Sequence, residues 1–164
     1  MKRTLQNAFL SIVIGMITVP ALAQSNRLIG SWRLIAADKI LPDGTRVIDY
    51  GPDPHGIAIF TAEGNYVVEI FRNQRMKFTS DDRGGKGTPE EYREAVLSSS
   101  CHFGTYAVDT VKHTITFNID RATIPNSDQT SQVRPFTLKG DTLSWRVPAR
   151  ADGSIPVSVF TRIR

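Results

Sequence analysis

The chain has 164 residues, with 20 lysine and arginine residues against 16 aspartate and glutamate residues, and a formal net charge of +4 at pH 7. Its basic residues form no run of the kind that contacts nucleic acid, which argues against a nucleic-acid partner. Cys101 is the single cysteine, so an intramolecular disulfide is excluded, and we expect a packed, inert thiol there.

The first 23 residues have the three-part design of a secretory signal peptide. Lys2 and Arg3 give a positive start, an apolar run follows, and small residues precede a cleavable bond after Ala23. The apolar run from Ala8 to Val19 is about a dozen residues, shorter than the roughly 20 that a membrane span needs. We therefore predict a periplasmic or secreted protein of one domain, residues 24–164, with no integral membrane segment. Its charge is only +2, from 18 basic and 16 acidic residues.

After the signal peptide, short runs with period-two alternation are separated by turn residues such as Pro42-Asp43-Gly44. These runs predict strands at 27–39, 45–48, 57–61, 66–72, 101–108, 113–119, 132–138, 142–147 and 155–164. The pattern predicts an all-β fold, an up-and-down antiparallel β-barrel of about eight principal strands.

One short helix is predicted inside the long connection from 73 to 100. Thr88 caps it, Pro89 suits the first turn, and Glu91 completes a capping box. Tyr92, Ala95 and Val96 share the face that we expect to dock on the barrel.

The register of the strands predicts which side chains point into the barrel. Pairing Leu138 with Leu143 places Gln132, Arg134 and Trp145 inside, and pairing Val108 with His113 adds His102 and Tyr106. Between 57 and 72, the more apolar face is predicted to point inward. It contains Ile57, Ile59, Tyr66, Val68, Ile70 and Arg72, and leaves Phe60 and Phe71 outside.

The two ends of the barrel are predicted to differ. Long loops should gather at one end, together with His55, Arg72, His102 and Arg134. Trp32, which follows Gly30 in the first strand, and Arg162 in the last strand should meet at the opposite end. A guanidinium stacked on the indole there would close the barrel floor, a contact worth ~0.5–2 kcal/mol.

Five motifs follow one another through nearly all of the chain after the signal peptide. They are Leu28–Leu34, Tyr50-Gly51-Pro52 through Gly56 to Ile70, Gly87–Glu91, Phe103–Tyr106 and Val133–Asp141. In these motifs the chain resembles the bacterial and fungal lipocalin-like domain proteins, which are distant relatives of lipocalins. The resemblance implies a lipocalin-like barrel with Trp32 and Arg162 in its floor, and it implies little about chemistry, because a fold does not fix a function.

Seven residues are candidates for ligand binding: His102, Tyr106, Arg134, Gln132, Trp145, Tyr66 and Arg72. A buried guanidinium is costly without an anionic or accepting partner. Arg134 is therefore expected either to receive the carboxylate or phosphate of an otherwise apolar ligand, or to pair with a loop carboxylate or reach the rim. His102 as a base and Tyr106 as an acid would suit an isomerase or cyclase, although about 13 Å of strand separates their Cα atoms.

No metal site or cofactor is predicted, and no residue is assigned as catalytic. His102 and His113 fall about 20 Å apart along their hairpin, and one cysteine gives no zinc-like cluster. Catalytic-triad spacing, a phosphate loop and a nucleotide fingerprint are also missing from the sequence. A haem held by His102 inside the barrel is the one cofactor that the pattern leaves open.

Three functions follow from these patterns. The first is a binder of a small apolar or amphipathic molecule, a class that includes anionic ligands, with residues 88–99 as a lid over the ligand. The second is a barrel enzyme acting on such a molecule, and the third is an inhibitor or envelope protein that binds another protein through its surface. An open interior favours the first two, and a filled interior favours the third. A strongly perturbed His102 beside a second titratable group favours the enzyme.

Overall fold

The computed structural model describes residues 27–80 and 85–164. The predicted signal peptide lies outside the described residues. Within them the chain forms nine strands, one α-helix and one 3-10 turn. These are β1 Gly30–Ile40, β2 Arg46–Ile48, β3 His55–Phe60, β4 Asn65–Phe71, α1 Pro89–Leu97, β5 Ser99–Asp109, β6 Thr114–Ala122, the 3-10 turn Pro125–Ser127, β7 Ser131–Lys139, β8 Thr142–Arg146 and β9 Ile155–Arg162.

Eight of the described strands close into an antiparallel barrel. From β3 to β9 each strand pairs with the next, β3 also pairs with β1, and β9 returns to β1 with Trp32 opposite Arg162. The short β2 pairs with β1 at 38–40, beyond the part of β1 that pairs with β3. The predicted barrel of about eight strands with one short helix is confirmed.

The tight hairpins lie at one end of the barrel, which we call the floor, and the long connections lie at the other end, which we call the mouth. The floor has the turns at 61–64, 110–113 and 140–141. The mouth has the connections at 41–54, 72–98, 123–130 and 147–154, and α1 lies within the second of these. The strand ends at the mouth therefore bring residues from distant parts of the chain together.

The floor is closed by Trp32 and Arg162. Trp32 is fully buried, and its Nε1 donates to the carbonyl of Leu28 at 2.8 Å. The guanidinium carbon of Arg162 lies 4.1 Å from the centroid of the indole, and its Nη1 donates to the carbonyl of Ile29 at 2.9 Å. Gly30 has φ +122°, and a Cβ there would lie 3.1 Å from Arg162 Nη1. The small residue leaves room for the guanidinium that covers the indole.

The predicted inward face is right for β4 and wrong for β3. Tyr66 is buried, but the buried residues of β3 are Ala58 and Phe60, not Ile57 and Ile59. The length of the turn after Phe60 is the reason. It places Phe60 opposite Tyr66, and opposite residues of an antiparallel pair share a face, so Phe60 points inward with Tyr66. The apolar content of the two faces of β3 was a poor guide to which one points inward, because it favoured the face with Ile57 and Ile59 over the face with Ala58.

The helix α1 begins as predicted but does not dock as predicted. Thr88 Oγ1 accepts from the Glu91 amide at 3.2 Å, and the Thr88 amide donates to the Glu91 carboxylate at 2.7 Å, which completes the capping box. Tyr92 and Val96 are 42% and 40% exposed, so their face is not buried. Glu91 is the buried residue of the helix, and its carboxylate accepts hydrogen bonds from the amide and the hydroxyl of Thr79. Polar contacts therefore hold this helix.

Candidate ligand-binding cavity

The barrel interior is filled at the floor and open toward the mouth. Large aromatic rings pack in the floor half, including Phe60, Phe117 and Trp145, which are at most 1% exposed. Toward the mouth the inward positions are occupied by smaller side chains, and a cavity of about 510 Å³ remains. Its apolar walls include Ala37, Val68, Ile70, Ile119, Ala122, Val147 and Val157. The change from rings to smaller side chains along the barrel axis creates the cavity.

A chain of four polar side chains lies on the cavity wall and just beneath it. Tyr66 Oη lies 2.8 Å from His102 Nδ1, and Arg134 Nη2 lies 3.2 Å from His102 Nε2 and 2.8 Å from Gln132 Oε1. His102, Gln132 and Arg134 line the cavity. Alternation along β4, β5 and β7 turns all four toward the interior.

Phe117 supports this polar group from the floor side. The guanidinium carbon of Arg134 lies 4.7 Å from the centroid of the Phe117 ring, and the Tyr66 and His102 rings meet that ring edge-on. Tyr66 and Arg134 reach it from β4 and β7, the strands on either side of the β5–β6 pair. The ring therefore fixes where the guanidinium plane lies.

The direction of the hydrogen bonds follows from the guanidinium, which can only donate. Nε2 of His102 must accept from Arg134, so the proton of the neutral imidazole is on Nδ1 and is donated to the Tyr66 oxygen. The Gln132 carbonyl oxygen also accepts from Arg134. Both acceptors that face Arg134 are thus already engaged.

Burial sets the charge of each group. The pKa of His102 is lowered to about 3 by burial, with a further contribution from the charge of Arg134. Burial raises the pKa of Tyr66 to about 12, and it lowers the pKa of Arg134 to about 10. At neutral pH the group therefore consists of a neutral imidazole, a protonated phenol and a charged guanidinium.

The seven predicted site residues do not all meet. His102, Gln132, Arg134 and Arg72 line the cavity, and Tyr66 bonds to His102 from beneath. Tyr106 lies at the floor, where its hydroxyl donates to the Thr61 carbonyl at 3.0 Å, so it is not paired with His102, in line with the roughly 13 Å of strand between their Cα atoms. Trp145 is buried under the cavity, 5.6 Å from the Phe117 ring, and its Nε1 has no hydrogen-bond partner among the described residues.

Some cavity residues were not expected from the sequence. Tyr50 lies in the connection between β2 and β3, and Ser158 faces the cavity from β9. Burial raises the pKa of Tyr50. Ser158 is two positions before the buried Phe160 in β9, so period-two alternation is the signal that could have identified it as inward. A loop residue such as Tyr50 has no such periodicity.

A family model described as a lipocalin-like domain matches residues 29–162, which is most of the chain. The chain belongs to the lipocalin-like domain family. The predicted family resemblance is therefore confirmed, and the match extends from the floor segment of β1 to the last residue of β9.

Two solved structures that are similar to the chain are distant in sequence. A lipocalin-like protein from Bacteroides uniformis is 15% identical, with 83% of this chain and 98% of that chain covered and a TM-score of 0.41. A redesigned β-barrel is also 15% identical, with 85% and 95% covered and a TM-score of 0.43. No curated protein matches the chain.

The mouth of this lipocalin-like barrel is bordered by α1. Val96 and Leu97 line the cavity and are 40% and 44% exposed, and Ile124, which also lines it, is 45% exposed. The helix is held in place by Arg72, 3.7 Å from Glu94, and by Arg75, which donates to Ser98 and to the Ala95 carbonyl. The described part of the chain has no helix that is long and apolar enough to span a bilayer.

The His102 environment does not suit a haem in this lipocalin-like barrel. Both imidazole nitrogens are engaged, Nδ1 with Tyr66 and Nε2 with Arg134, so neither is free to ligate iron. Among the described residues, no three His, Cys, Asp or Glu side chains are grouped as a metal site would require. Cys101 is a half-buried free thiol at the cavity wall.

Proposed function

We propose that this protein binds a small amphipathic molecule in the barrel cavity, with the apolar body against the aliphatic walls and the polar end at His102, Gln132 and Arg134. The observation that carries the proposal is a cavity of about 510 Å³ in which the convergent polar group His102, Gln132 and Arg134 lies beside aliphatic walls. The other charged residues that line the cavity are held in ion pairs within the protein. Small-molecule sites typically have ~300–1,000 Å³ and a few convergent polar groups. An interior that is open toward the mouth also favours a small molecule over a protein partner bound by the outer surface.

The alternative of an isomerase or cyclase is less well supported by the same group. A general base works best when its pKa is near the operating pH, and the pKa of His102 is about 3. Its Nε2 lone pair is also occupied by the Arg134 hydrogen bond. Perturbed pKa values mark a functional site, but here they fix charges and hydrogen-bond directions and leave no group poised to transfer a proton.

Nile red, a neutral apolar dye, tests whether the cavity accepts a ligand. We expect saturable binding at one site, with affinity lowered about tenfold or more by Ala122→Phe, because Ala122 lines the cavity and a ring there would fill it. Ala107→Phe is the matched control, since Ala107 is exposed on the outer face of β5. Equal binding by both variants, or no binding by the natural protein, would overturn the proposal.

We further propose that the protein is exported and that residues 1–23 are removed. The positive start, the apolar run and the small residues before Gln24 support this. The intact mass of the protein recovered from the periplasm or the medium should equal that of residues 24–164. Recovery of the full chain from the cytoplasm alone would contradict export.

A further inference from the structure

The charged groups that line the cavity are all paired except one. Four of the lining ions form three ion pairs within the protein, while Arg134 is 4% exposed and has no ion pair with any described residue. The three pairs are Asp38 with Arg46 at 2.7 Å, Asp49 with Arg150 at 2.6 Å, and Arg72 with Glu94 at 3.7 Å. A buried cation without a counterion is costly, and this cost falls when an anion binds beside it.

The hydrogen-bonding capacity left around Arg134 consists mostly of donors. The carbonyl oxygen of Gln132 and Nε2 of His102 accept from Arg134 Nη2, so His102 has no lone pair open to a ligand and Gln132 Oε1 has one. The donors are the amide N–H of Gln132 and the other N–H groups of Arg134, whose Nε is buried with no partner among the described residues. A group that can only donate is matched by a ligand group that can only accept.

From this juxtaposition we propose that the polar end of the ligand is an oxygen acid with a single negative charge, a carboxylate in its simplest form, and that Arg134 is its counterion. The inference rests on the proposed function and adds the chemical class of the ligand. A single charge is required because the cavity offers one uncompensated cation, and a second negative charge would itself be buried without a partner. A neutral alcohol would leave Arg134 uncompensated.

Three ligands with the same apolar chain test the headgroup: decanoate, decanol and decyl phosphate, each displacing Nile red below its micelle concentration. At about pH 8 the phosphate has a charge near −2. We expect decanoate to bind about tenfold or more tightly than decanol and than decyl phosphate, as expected for a charge-assisted hydrogen bond. Equal binding of decanoate and decanol would overturn the headgroup inference and leave the cavity proposal intact. Equal binding of decyl phosphate and decanoate would overturn the single charge.

Variants at Arg134 separate the charge from the shape of the site. Arg134→Met should remove the preference for decanoate over decanol, while Arg134→Lys should keep part of it. Arg146→Met is the matched control, because Arg146 is an exposed arginine on β8 outside the cavity, and it should keep the full preference. A preference that survives Arg134→Met would overturn the inference. If that variant does not fold, the ligand series on the natural protein still decides. Failure of both decanoate and decanol to displace the dye would instead overturn the proposed function.

Discussion

His102 and Arg134 share a hydrogen bond of 3.2 Å between Nε2 and Nη2, which sets a neutral imidazole against a buried, charged guanidinium. The pair joins β5 to β7, which are separated in the barrel by β6. Because the guanidinium can only donate, the pair fixes the tautomer of His102 and, through Nδ1, the role of Tyr66. The first two predictions test this arrangement, and the other two test the barrel that holds it.

The first prediction concerns pH. The imidazole of an unfolded chain binds a proton near pH 6.5, whereas His102 in the fold has a pKa of about 3, mainly because of burial. Between these values the unfolded state binds more protons, so the free energy of unfolding should fall as the pH falls, by up to about 1.4 kcal/mol per pH unit from this group. Urea unfolding at about pH 7 and about pH 5 measures the change.

The controls for this prediction are two histidine variants. His102→Gln should reduce the loss of stability between the two pH values, because the titrating group is gone. His55→Gln should leave it unchanged, since His55 is exposed at the mouth. Identical pH dependence in His102→Gln and the natural protein would contradict the assignment.

The second prediction concerns the Tyr66 hydroxyl. Tyr66→Phe keeps the ring against Phe117, 4.7 Å away, but leaves the His102 Nδ1 proton buried without an acceptor. We expect a loss of about 1–3 kcal/mol in the free energy of unfolding at neutral pH. Tyr92→Phe is the control, because its hydroxyl accepts from the Gly87 amide at the surface and its loss should cost about 0.5 kcal/mol or less. Equal effects of the two variants would show that the buried bond is absent.

The third prediction concerns the floor. Arg162→Leu removes the guanidinium above Trp32 and its bond to the Ile29 carbonyl. The stacking and the hydrogen bond together should contribute about 1–3 kcal/mol. Chemical unfolding followed by tryptophan fluorescence measures the loss, and Arg146→Leu on the exposed face of β8 should change stability little. A stability equal to that of the natural protein would show that the stack does not hold the floor closed.

The fourth prediction concerns the irregular pairing of β5 with β6. Gly104 has φ +157°, and a Cβ there would lie 2.0 Å from the backbone oxygen of Asn118, which cannot easily move. Gly140 also has a positive φ, +57°, but a Cβ there meets nothing within 4 Å. Gly104→Ala should therefore be less stable than Gly140→Ala by about 1–3 kcal/mol or more in thermal or urea unfolding. Comparable stability of the two variants would contradict the close approach of the Gly104 backbone to the Asn118 oxygen.

Local signals predicted much of the inner surface. The tight turn between Leu138 and Leu143 fixes the register of β7 and β8, so alternation alone placed Arg134 and Trp145 inside. The same reasoning failed for Ile57 and Ile59, because the turn after Phe60 sets their face and its length was ambiguous in the sequence. Where a turn is short and its residues specify its length, period-two alternation is sufficient to predict which side chains point inward.

The candidate site was only partly predictable. Its inward residues were identified, and strand spacing separated Tyr106 from His102, but the contact of Tyr66 with His102 was not predicted. Strands β4 and β5 are joined by a connection that runs from 72 to 98, so no local turn sets their register. The absence of a counterion for Arg134 among the described residues depends on where every mouth loop goes, which no single stretch of sequence specifies.

By itself, the sequence determined the strand periodicity, the capping box before α1, and an inner face for His102, Gln132 and Arg134. These features depend on neighbours within a few positions, where alternation and turn chemistry act directly. The tertiary structure alone decided the open volume toward the mouth and the engagement of Tyr66 with His102. It also decided that Arg134 has no ion pair with any described residue. Each of these properties depends on segments that are distant in sequence. The cavity is the space that the side chains of all eight barrel strands leave unfilled, and Arg134 is unpaired because no described segment brings a carboxylate to it.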